Sequence, residues 1–586
     1  MEIAERAQLA HLREIALPGG SATQWATEFL RQKPDAAAVA LARRLVDPGA
    51  CAAACLADLR PSERVLELRT ATWTRRAPFV QQLGGQVEVA ETSAERLEIS
   101  RAWEPEIPHT LLQHWPQLPY PPETFDTVLC HGGLPSSLAM EEVVRVLKPG
   151  GTVSLSGPNR LSPALDWGTR RGIVQSLSPA GYRRLLAAAG LVPSSGLALF
   201  PDDLLPSYAL PFAAPAVPGE LWSRICREQF APLNRTGWRQ GLKTLAASLA
   251  IWQIGRQLAP GVSVFGEKPG ERVEPARSLL ERMATHALGD GAQPLLLLVR
   301  LTHAAVAPVY RPDAQDLVYL KIALSPYGAE SLARHERFLR DFPRAMREIV
   351  PVPDPVAAGR FQNLPYYAES GLPGMGGGRA RLPLELLEQS ALALLSRWQA
   401  ATKQSEVGAM RQRWQRRIDA MRSHALLADP SAYAALADWA TTRLQQVDCA
   451  VVAHNDFHLG NVIYSPEGKV TGVLDWDLAD REGLPYCDAL HLLISSLLRH
   501  TSQPKVAVIR SLLAGNLPVA TRPLNEHCQQ LGISGQAAFW LPLYVVTQLW
   551  RLTIQAGYSL PGTTLYERME RQATELIELA LAEGHK

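Results

Sequence analysis

One run restricts what this chain can fold into more than any other: VVAHNDFHLGNVIYSPEGKVTGVLDWDLADREGLPYCDALHLL, residues Val451 to Leu493. Val451 to Ala453 reads as a strand entering a polar loop. Val462 to Tyr464 and Val470 to Leu474 read as a hairpin that turns at Ser465 to Gly468. Such a hairpin returns Asp475 to the loop carrying Asp456 and Asn461. Two oxygen ligands and a free carboxylate around one cavity suit Mg2+ on a polyphosphate, with a base for an acceptor hydroxyl. Asp and Asn are also common turn residues, but turn chemistry alone does not produce the whole ordered pattern.

HNDFHLGN followed by LDWD resembles the aminoglycoside and choline phosphotransferase branch of the protein-kinase-like fold. The resemblance implies that Asp456 is the catalytic base and that Asn461 and Asp475 hold Mg2+. It makes His454 a support of the loop, Asp488 the buried aspartate that braces it, and Asp477 a second acidic contact near the metal. Asn455 stands where that family usually has glycine, which a turn position would accommodate. Upstream, Leu295 to Arg300, Ala305 to Tyr310 and Leu317 to Ile322 read as strands, and Ser331 to Phe342 as a helix. Strand lysine before helix glutamate is the kinase-like arrangement. Lys321 is then expected on the nucleotide phosphates, with Glu336 orienting it and Glu330 as the alternative partner. Leu364 to Gly374 resembles the strand and hinge that bind adenine through backbone, near Ala368, Glu369 and Ser370. The implied cofactors are ATP and Mg2+. The turn Leu301 to Ala305 lacks a glycine-rich signature, although a short turn can still offer N–H groups to phosphate. Residues 382–446 and the later segments Lys505 to Leu513, Ala537 to Ala556 and Leu565 to Leu581 read as helices of a C-lobe that would form the acceptor pocket. Trp540, Tyr544, Trp550 and Arg551 either line that pocket or pack within the lobe.

The N-terminal half alternates short apolar runs with helical ones. Arg64 to Leu68, Gln86 to Ala90, Thr127 to Cys130 and Thr152 to Ser156 read as strands of a parallel sheet with helices on both faces. With LPYPPETFDTVLC, the VLKPGG turn and SLSPAGYRRLLAAAGL, this order resembles a class I methyltransferase, the fold that binds S-adenosylmethionine. By resemblance Glu67 ends the first strand in the cofactor loop, Glu91 meets the cofactor ribose, and Gly261 to Lys268 is the last strand. The cofactor loop departs from the family. It reads Glu67-Leu68-Arg69-Thr70-Ala71-Thr72-Trp73-Thr74, with none of the glycines that let backbone approach a cofactor. A degraded, cofactor-free domain is the simpler expectation; an unusual cofactor pose is the other.

At 586 residues the chain exceeds one core, so several domains are expected. The fold class is α/β: a Rossmann-like methyltransferase sheet, then a bilobal α+β kinase-like domain with a helical C-lobe. The expected boundaries are a helical leader at 1–33, the methyltransferase-like domain at 34–268 with a helical insertion at 201–260, a linker at 269–288, the N-lobe at 289–370 and the C-lobe at 371–586. A net charge of +2 with scattered arginine gives no case for nucleic acid. Seven dispersed cysteines, no signal-type leader and no apolar run of about 18 residues point to a cytoplasmic protein without a membrane span. The leading function is ATP- and Mg2+-dependent phosphorylation of a small-molecule, glycan or lipid-linked hydroxyl. Two alternatives are a bifunctional methyltransferase and kinase acting on one acceptor such as a polysaccharide end, and a non-catalytic scaffold. A protein partner or a homo-oligomer fits any of the three.

Overall fold

The run RVLELR at Arg64–Arg69 is buried at every position after the first. A strand buried on both faces needs helical cover on each side, which is the situation of the middle of a parallel sheet. In the computed structural model this strand, β1, has β2 (Gln86–Glu91) on one side and β4 (Phe125–Cys130) on the other, both parallel to it. β3 (His109–Leu111) lies beyond β2, and β5 (Leu147–Pro158) beyond β4. The chain winds outward from β1 in one direction and then in the other, a doubly wound order. The connecting helices are α1 (Ala77–Gln82), α2 (Ala94–Trp103) and α3 (Ser137–Val146). The structure describes residues 57–584 except 71–73, 132–136, 163–175, 195, 201–205, 207, 214–217, 220–255, 271–276, 296, 301–302, 343, 378–381, 502, 515 and 558–563, together with isolated positions between 22 and 46. The expected leader, most of the expected insertion, and the Ala71 to Trp73 part of the cofactor loop lie outside the described residues.

The described chain forms two units, Met1–Ala329 with Val356–Glu369, and Glu330–Pro355 with Ser370–Lys586. In the first unit α4 (Pro179–Ala188) leads to β6 (Val192–Pro193), which pairs with β9 (Gly261–Glu267). β9 runs antiparallel to β5, and β7 (Leu197–Phe200) antiparallel to β9. β8 (Tyr208–Pro211) pairs with β7, so part of the stretch expected to be helical insertion is strand. α5 (Leu279–Leu288) starts from a capping box between Ser278 and Glu281. β10 (Gln293–Pro294) and β11 (Leu297–Arg300) follow, then β12 (Ala304–Arg311) and β13 (Asp316–Ala323). β14 (Pro355–Phe361) and β15 (Leu364–Ser370) complete the set. β11 pairs antiparallel with β8 on one side and with β12 on the other, so the two strand groups join in one 15-stranded sheet. One apolar core runs beneath it. Val65, Val80 and Val89 share that core with Met283 of α5 and with Val309, Val318, Leu320 and Leu364.

The second unit is mostly helical. The later part of α6 (Pro326–Arg340) precedes the hairpin module: β16 (Met375–Gly376) pairs with β18 (Val462–Tyr464), which pairs with β19 (Val470–Val473). β17 (Val451–Ala453) pairs with β20 (Asp480–Gly483). The unit's longer helices after α6 are α7 (Leu384–Thr402), α8 (Gly408–Met421), α9 (Pro430–Leu444), α10 (Cys487–His500), α11 (Lys505–Leu513), α12 (Pro518–Leu531), α13 (Ala537–Ala556) and α14 (Thr564–Gly584). α13 is buried without a break from Trp540 to Leu549 and packs against α8, α9, α10 and α14. A helix apolar all round is the axis of its lobe, and polar side chains on it need a reason.

Candidate active site

β17 ends at Ala453, and the chain turns through His454 and Asn455 into Asp456. Asn455 has φ 62°, the left-handed region that asparagine tolerates better than most residues without glycine's freedom. Its amide side chain donates to Leu478 O at 2.8 Å and to Asp480 Oδ2 at 2.9 Å. The side chain therefore ties the loop to the chain that returns after β19, which glycine could not do. Asp488, in the first turn of α10, accepts His454 N–H at 2.7 Å and Asn455 N–H at 2.8 Å. Burial pushes its carboxyl up to about 7, against the pull of those two amides. His454 is fully buried; its Nε2 reaches Leu474 O at 2.8 Å, and its Nδ1 accepts Asp456 N–H at 3.3 Å. That pair of contacts requires the neutral tautomer protonated on Nε2, and burial pushes the imidazole down to about 4.

These ties leave the Asp456 side chain 22% exposed in a loop otherwise mostly buried. Asn461 Nδ2 donates to Asp456 O at 3.0 Å, which leaves Oδ1 as the acceptor atom of that side chain. Leu474 N–H donates to Asn461 O at 2.8 Å, so the end of β19 brings Asp475 beside Asn461. Asp475 itself has φ 60°. Among the described residues no three His, Cys, Asp or Glu side chains form a metal cage. The hard oxygens of Asn461 and Asp475 instead suit Mg2+, which is bound through one or two protein oxygens with substrate phosphates supplying others. Asp477 accepts Ser331 Oγ–H at 2.7 Å, and burial raises its carboxyl. Trp476 between the two acids is fully buried and stacks on Phe338 at 5.3 Å.

Asp456 has basic neighbours to which the sequence pattern assigned no role. Arg551 of α13 pairs with its carboxylate, and His458 Nε2 and His491 Nε2 each lie 3.6 Å from Oδ1. Burial alone would raise the Asp456 carboxyl. Arg551 and the two imidazoles outweigh burial and hold it well below the usual carboxylate range. Arg551 was readable only as a pocket or packing residue, and His458, His491 and Lys505 carried no signal. The helical spacing of Tyr544, Gln548 and Arg551, one polar stripe on an apolar helix, is the clue that would have found the group.

In the first unit Lys321 of β13 lies 2.7 Å from Glu369 of β15, and both side chains are largely buried. In the second unit Glu336 is paired with Arg340 one helical turn on. Ser370 exchanges two bonds with Asp354: its N–H donates to Asp354 O and its Oγ accepts Asp354 N–H, each at 2.9 Å.

In the methyltransferase-like sheet, buried protein groups bond one another at the end of β1. Glu67 is fully buried and accepts Ala77 N–H at 2.8 Å and Thr74 Oγ–H at 3.1 Å. The buried Arg69 guanidinium donates to Glu67 at 2.9 Å, Ser100 Oγ at 3.0 Å and Glu104 at 3.2 Å. Burial raises the Glu104 carboxyl, but Arg69, His109 and Arg75 outweigh that and bring it to about 2. Glu91 takes Thr92 N–H at 2.9 Å and Arg96 at 3.1 Å on one oxygen; burial pushes its carboxyl up to about 7. Glu91 Oε2 is buried without a hydrogen-bond partner, the one atom here suited to a ribose hydroxyl. A guanidinium locked between Glu67 and Glu104 stands where glycine backbone is needed, so the described residues do not fit S-adenosylmethionine.

Residues 309–524 match the model of the phosphotransferase enzyme family, and residues 74–155 match that of the methyltransferase domain. A 106-residue stretch is 36% identical to a demethylmenaquinone methyltransferase of Streptomyces griseus subsp. griseus. The match takes in 17% of this chain and 45% of that protein, so the chain spans less than half the length of this curated relative. An aminoglycoside phosphotransferase from Streptomyces rimosus, solved with ADP and streptomycin, aligns over 46% of this chain and 97% of its own at 17% identity and TM-score 0.33. A SAM-dependent methyltransferase from Aquifex aeolicus aligns over 29% and 92% at 16% identity and TM-score 0.23. The chain combines an N-terminal methyltransferase-like fold with a C-terminal aminoglycoside-phosphotransferase and kinase-like fold. Among the described residues no helix is long and apolar enough to cross a membrane.

Proposed function

We propose that the chain is a phosphotransferase that moves the terminal phosphoryl group of ATP to a hydroxyl of a small-molecule, glycan or lipid-linked acceptor. The observation that carries this reading is the braced loop. Asp488 and His454 fix the backbone around Asp456 and leave its carboxylate reachable, while the β18–β19 hairpin sets Asn461 and Asp475 beside it. Asp456 orients the acceptor hydroxyl and takes its proton. Asn461 and Asp475 would hold Mg2+, which supplies charge neutralisation on the donor phosphates. Lys321 is assigned to those phosphates on its place in the sequence pattern, with Glu369 holding its ammonium group. Glu336 is the other sequence-based partner for Lys321.

The methyltransferase-like fold is proposed as a structural element without cofactor, on the strength of the Arg69 network. Titration calorimetry with S-adenosylmethionine should give no heat; saturable heat would restore the bifunctional reading. The phosphotransfer reading is tested by ATP consumption in the presence of Mg2+ and a panel of hydroxylated acceptors. Asp456→Asn should lower turnover by roughly 10²- to 10⁴-fold while circular dichroism shows retained folding. Wild-type protein that folds but shows no Mg2+-dependent nucleotide binding would end this reading.

A further inference from the structure

The group around Asp456 has an unbalanced charge. Arg551 Nη1 lies 2.8 Å from His491 Nε2 and donates to Gln548 Oε1 at 3.1 Å, while Nη2 is on Asp456. Lys505, at the first turn of α11, donates to the same Gln548 oxygen at 2.8 Å. One neutral amide oxygen thus receives two cationic side chains, and Asp456 is the carboxylate that meets them. Burial and the nearby Arg551 push the Lys505 amine down to about 7, and His491 is driven down for the same two reasons. A buried cation without an acid partner is expensive to keep, so its retention calls for a charge that arrives from outside.

The polar atoms here are also incompletely satisfied. Gln548 Nε2, Arg551 Nε and Tyr544 Oη are all buried and lack hydrogen-bond partners among the described residues. Tyr544, Gln548 and Arg551 share one face of α13, the helix that is otherwise the apolar axis of its lobe. Tyr544 and Gln548 are 0% and 2% exposed, whereas Asp456 and His458 side chains are 22% and 28% exposed. The cluster therefore has a closed floor with unused donors and an open mouth at the proposed base.

We infer that Arg551, Lys505, His491 and Gln548 form the acceptor subsite, and that it takes a hydroxylated acceptor carrying an anionic group, a phosphate ester or a carboxylate. This inference rests on the phosphotransferase reading. The anionic group meets Arg551 and Lys505 and competes with Asp456 for the guanidinium. Asp456, released from that pair, is left to hydrogen-bond the acceptor hydroxyl. The hydroxyl oxygen then forms a bond to the terminal phosphorus of the nucleoside triphosphate, the bridging P–O bond breaks toward the diphosphate, and the hydroxyl proton passes to Asp456. An acceptor without the anion leaves Arg551 on the base, so the same pair that recognises the right acceptor disfavours the wrong one.

The test is nucleotide-free titration calorimetry of the full chain with glucose 6-phosphate, glucuronate, glucose, glucosamine and inorganic phosphate at millimolar concentration. The two anionic sugars should bind at least tenfold more tightly than glucose, and glucosamine no better than glucose. Lys505→Met should reduce glucose 6-phosphate binding to the level of glucose, and Lys505→Arg should keep it, which separates recognition from folding. Equal binding of all four sugars, tightest binding by glucosamine, or no heat from either anionic sugar overturns the inference. Inorganic phosphate binding as tightly as the ester would make the cluster a free-anion site, and full displacement of the ester by a non-hydrolysable ATP analogue would assign it to the donor phosphates; either result also overturns it. Because these measurements need no turnover, selective anion binding without any Mg2+-dependent ATP use would sink the phosphotransfer reading and not the anion subsite.

Discussion

At the scale of single residues, Asn455 shows how a departure from a family pattern can be a gain. Its backbone occupies the left-handed region, and its side chain makes two bonds that glycine would forfeit. Asn455→Gly should relieve roughly 1 kcal/mol of backbone strain but lose two buried hydrogen bonds, for a net cost of about 1 kcal/mol. Asn455→Ala loses both bonds with no relief of strain, so it should cost about 2 kcal/mol. Urea unfolding of the three proteins measures the order, and alanine no worse than glycine would refute this account of the turn. The grouping of Asp456, Asn461, Asp475 and Asp488 around one loop was legible because they lie in one run of sequence whose spacing is set by a single loop and hairpin. Arg551 and Lys505 were not, because each reaches the site from a distant helix. The polar stripe that Arg551 shares with Tyr544 and Gln548 marks a helix face but does not say which loop that face will meet. Lys321 was legible as the lysine of a strand, but its contact with Glu369 depends on which strands become neighbours. That is a long-range fact with no local sign.

At the scale of elements, local pattern located most strands and helices, because period and turn residues act within a few positions. β1, β2 and the β18–β19 hairpin fall where short apolar runs and turn chemistry put them, and β9 where the methyltransferase resemblance put it. β8 escaped because four residues are too few to show a period. Contacts between elements are where stability acquires a pH dependence. His527 of α12 is buried; its Nδ1 meets Ser396 Oγ of α7 at 2.8 Å, and its Nε2 meets Pro485 O just before α10 at 3.2 Å. Nε2–H donates to the carbonyl, and in the neutral imidazole Nδ1 is left to accept the Ser396 hydroxyl. Burial depresses its pKa from 6.5 to about 4, so between those values the unfolded chain binds more protons than the folded one. Stability from this group is therefore complete above pH 6.5 and is lost as pH falls toward 4. Between pH 7 and pH 5 the loss should be roughly 2 kcal/mol. His527→Gln, compared with wild type by urea unfolding at both pH values, should shrink the pH difference by about that amount. An unchanged difference would mean that His527 does not titrate on unfolding.

At the scale of the whole molecule, a boundary drawn from sequence and a boundary set by packing need not coincide. The stretch Pro269 to Pro275 has the composition of a linker, and on that ground residues 289–586 would stand alone as a phosphotransferase. In the first unit, however, β11 hydrogen-bonds to β8, and the strands on either side of that junction lie in one sheet. The core beneath is shared: Leu279, Leu280 and Met283 of α5 lie in one cluster with Val65, Val80 and Phe265 and with Ala307, Val318 and Tyr366. Fully burying side chains of this kind contributes about 1.5–3 kcal/mol each, and a domain's net stability is only about 5–15 kcal/mol. Removing residues 1–288 deletes α5 and every strand before β10. It bares the edge of β11 to pairing with other chains and strips one side from the core under β12 and β13. The expected outcome is that a 289–586 fragment aggregates or unfolds without a cooperative transition, while the full chain stays folded under the same conditions. Hydrogen exchange on the full chain should show β12 and β13 protected to the same degree as β1 and β4, because strands sharing a core open together. A fragment that unfolds cooperatively and matches full-length ATP turnover would show the opposite. The methyltransferase-like sheet would then be a passenger, and the junction at β8 and β11 would contribute nothing to folding the strand that carries Lys321.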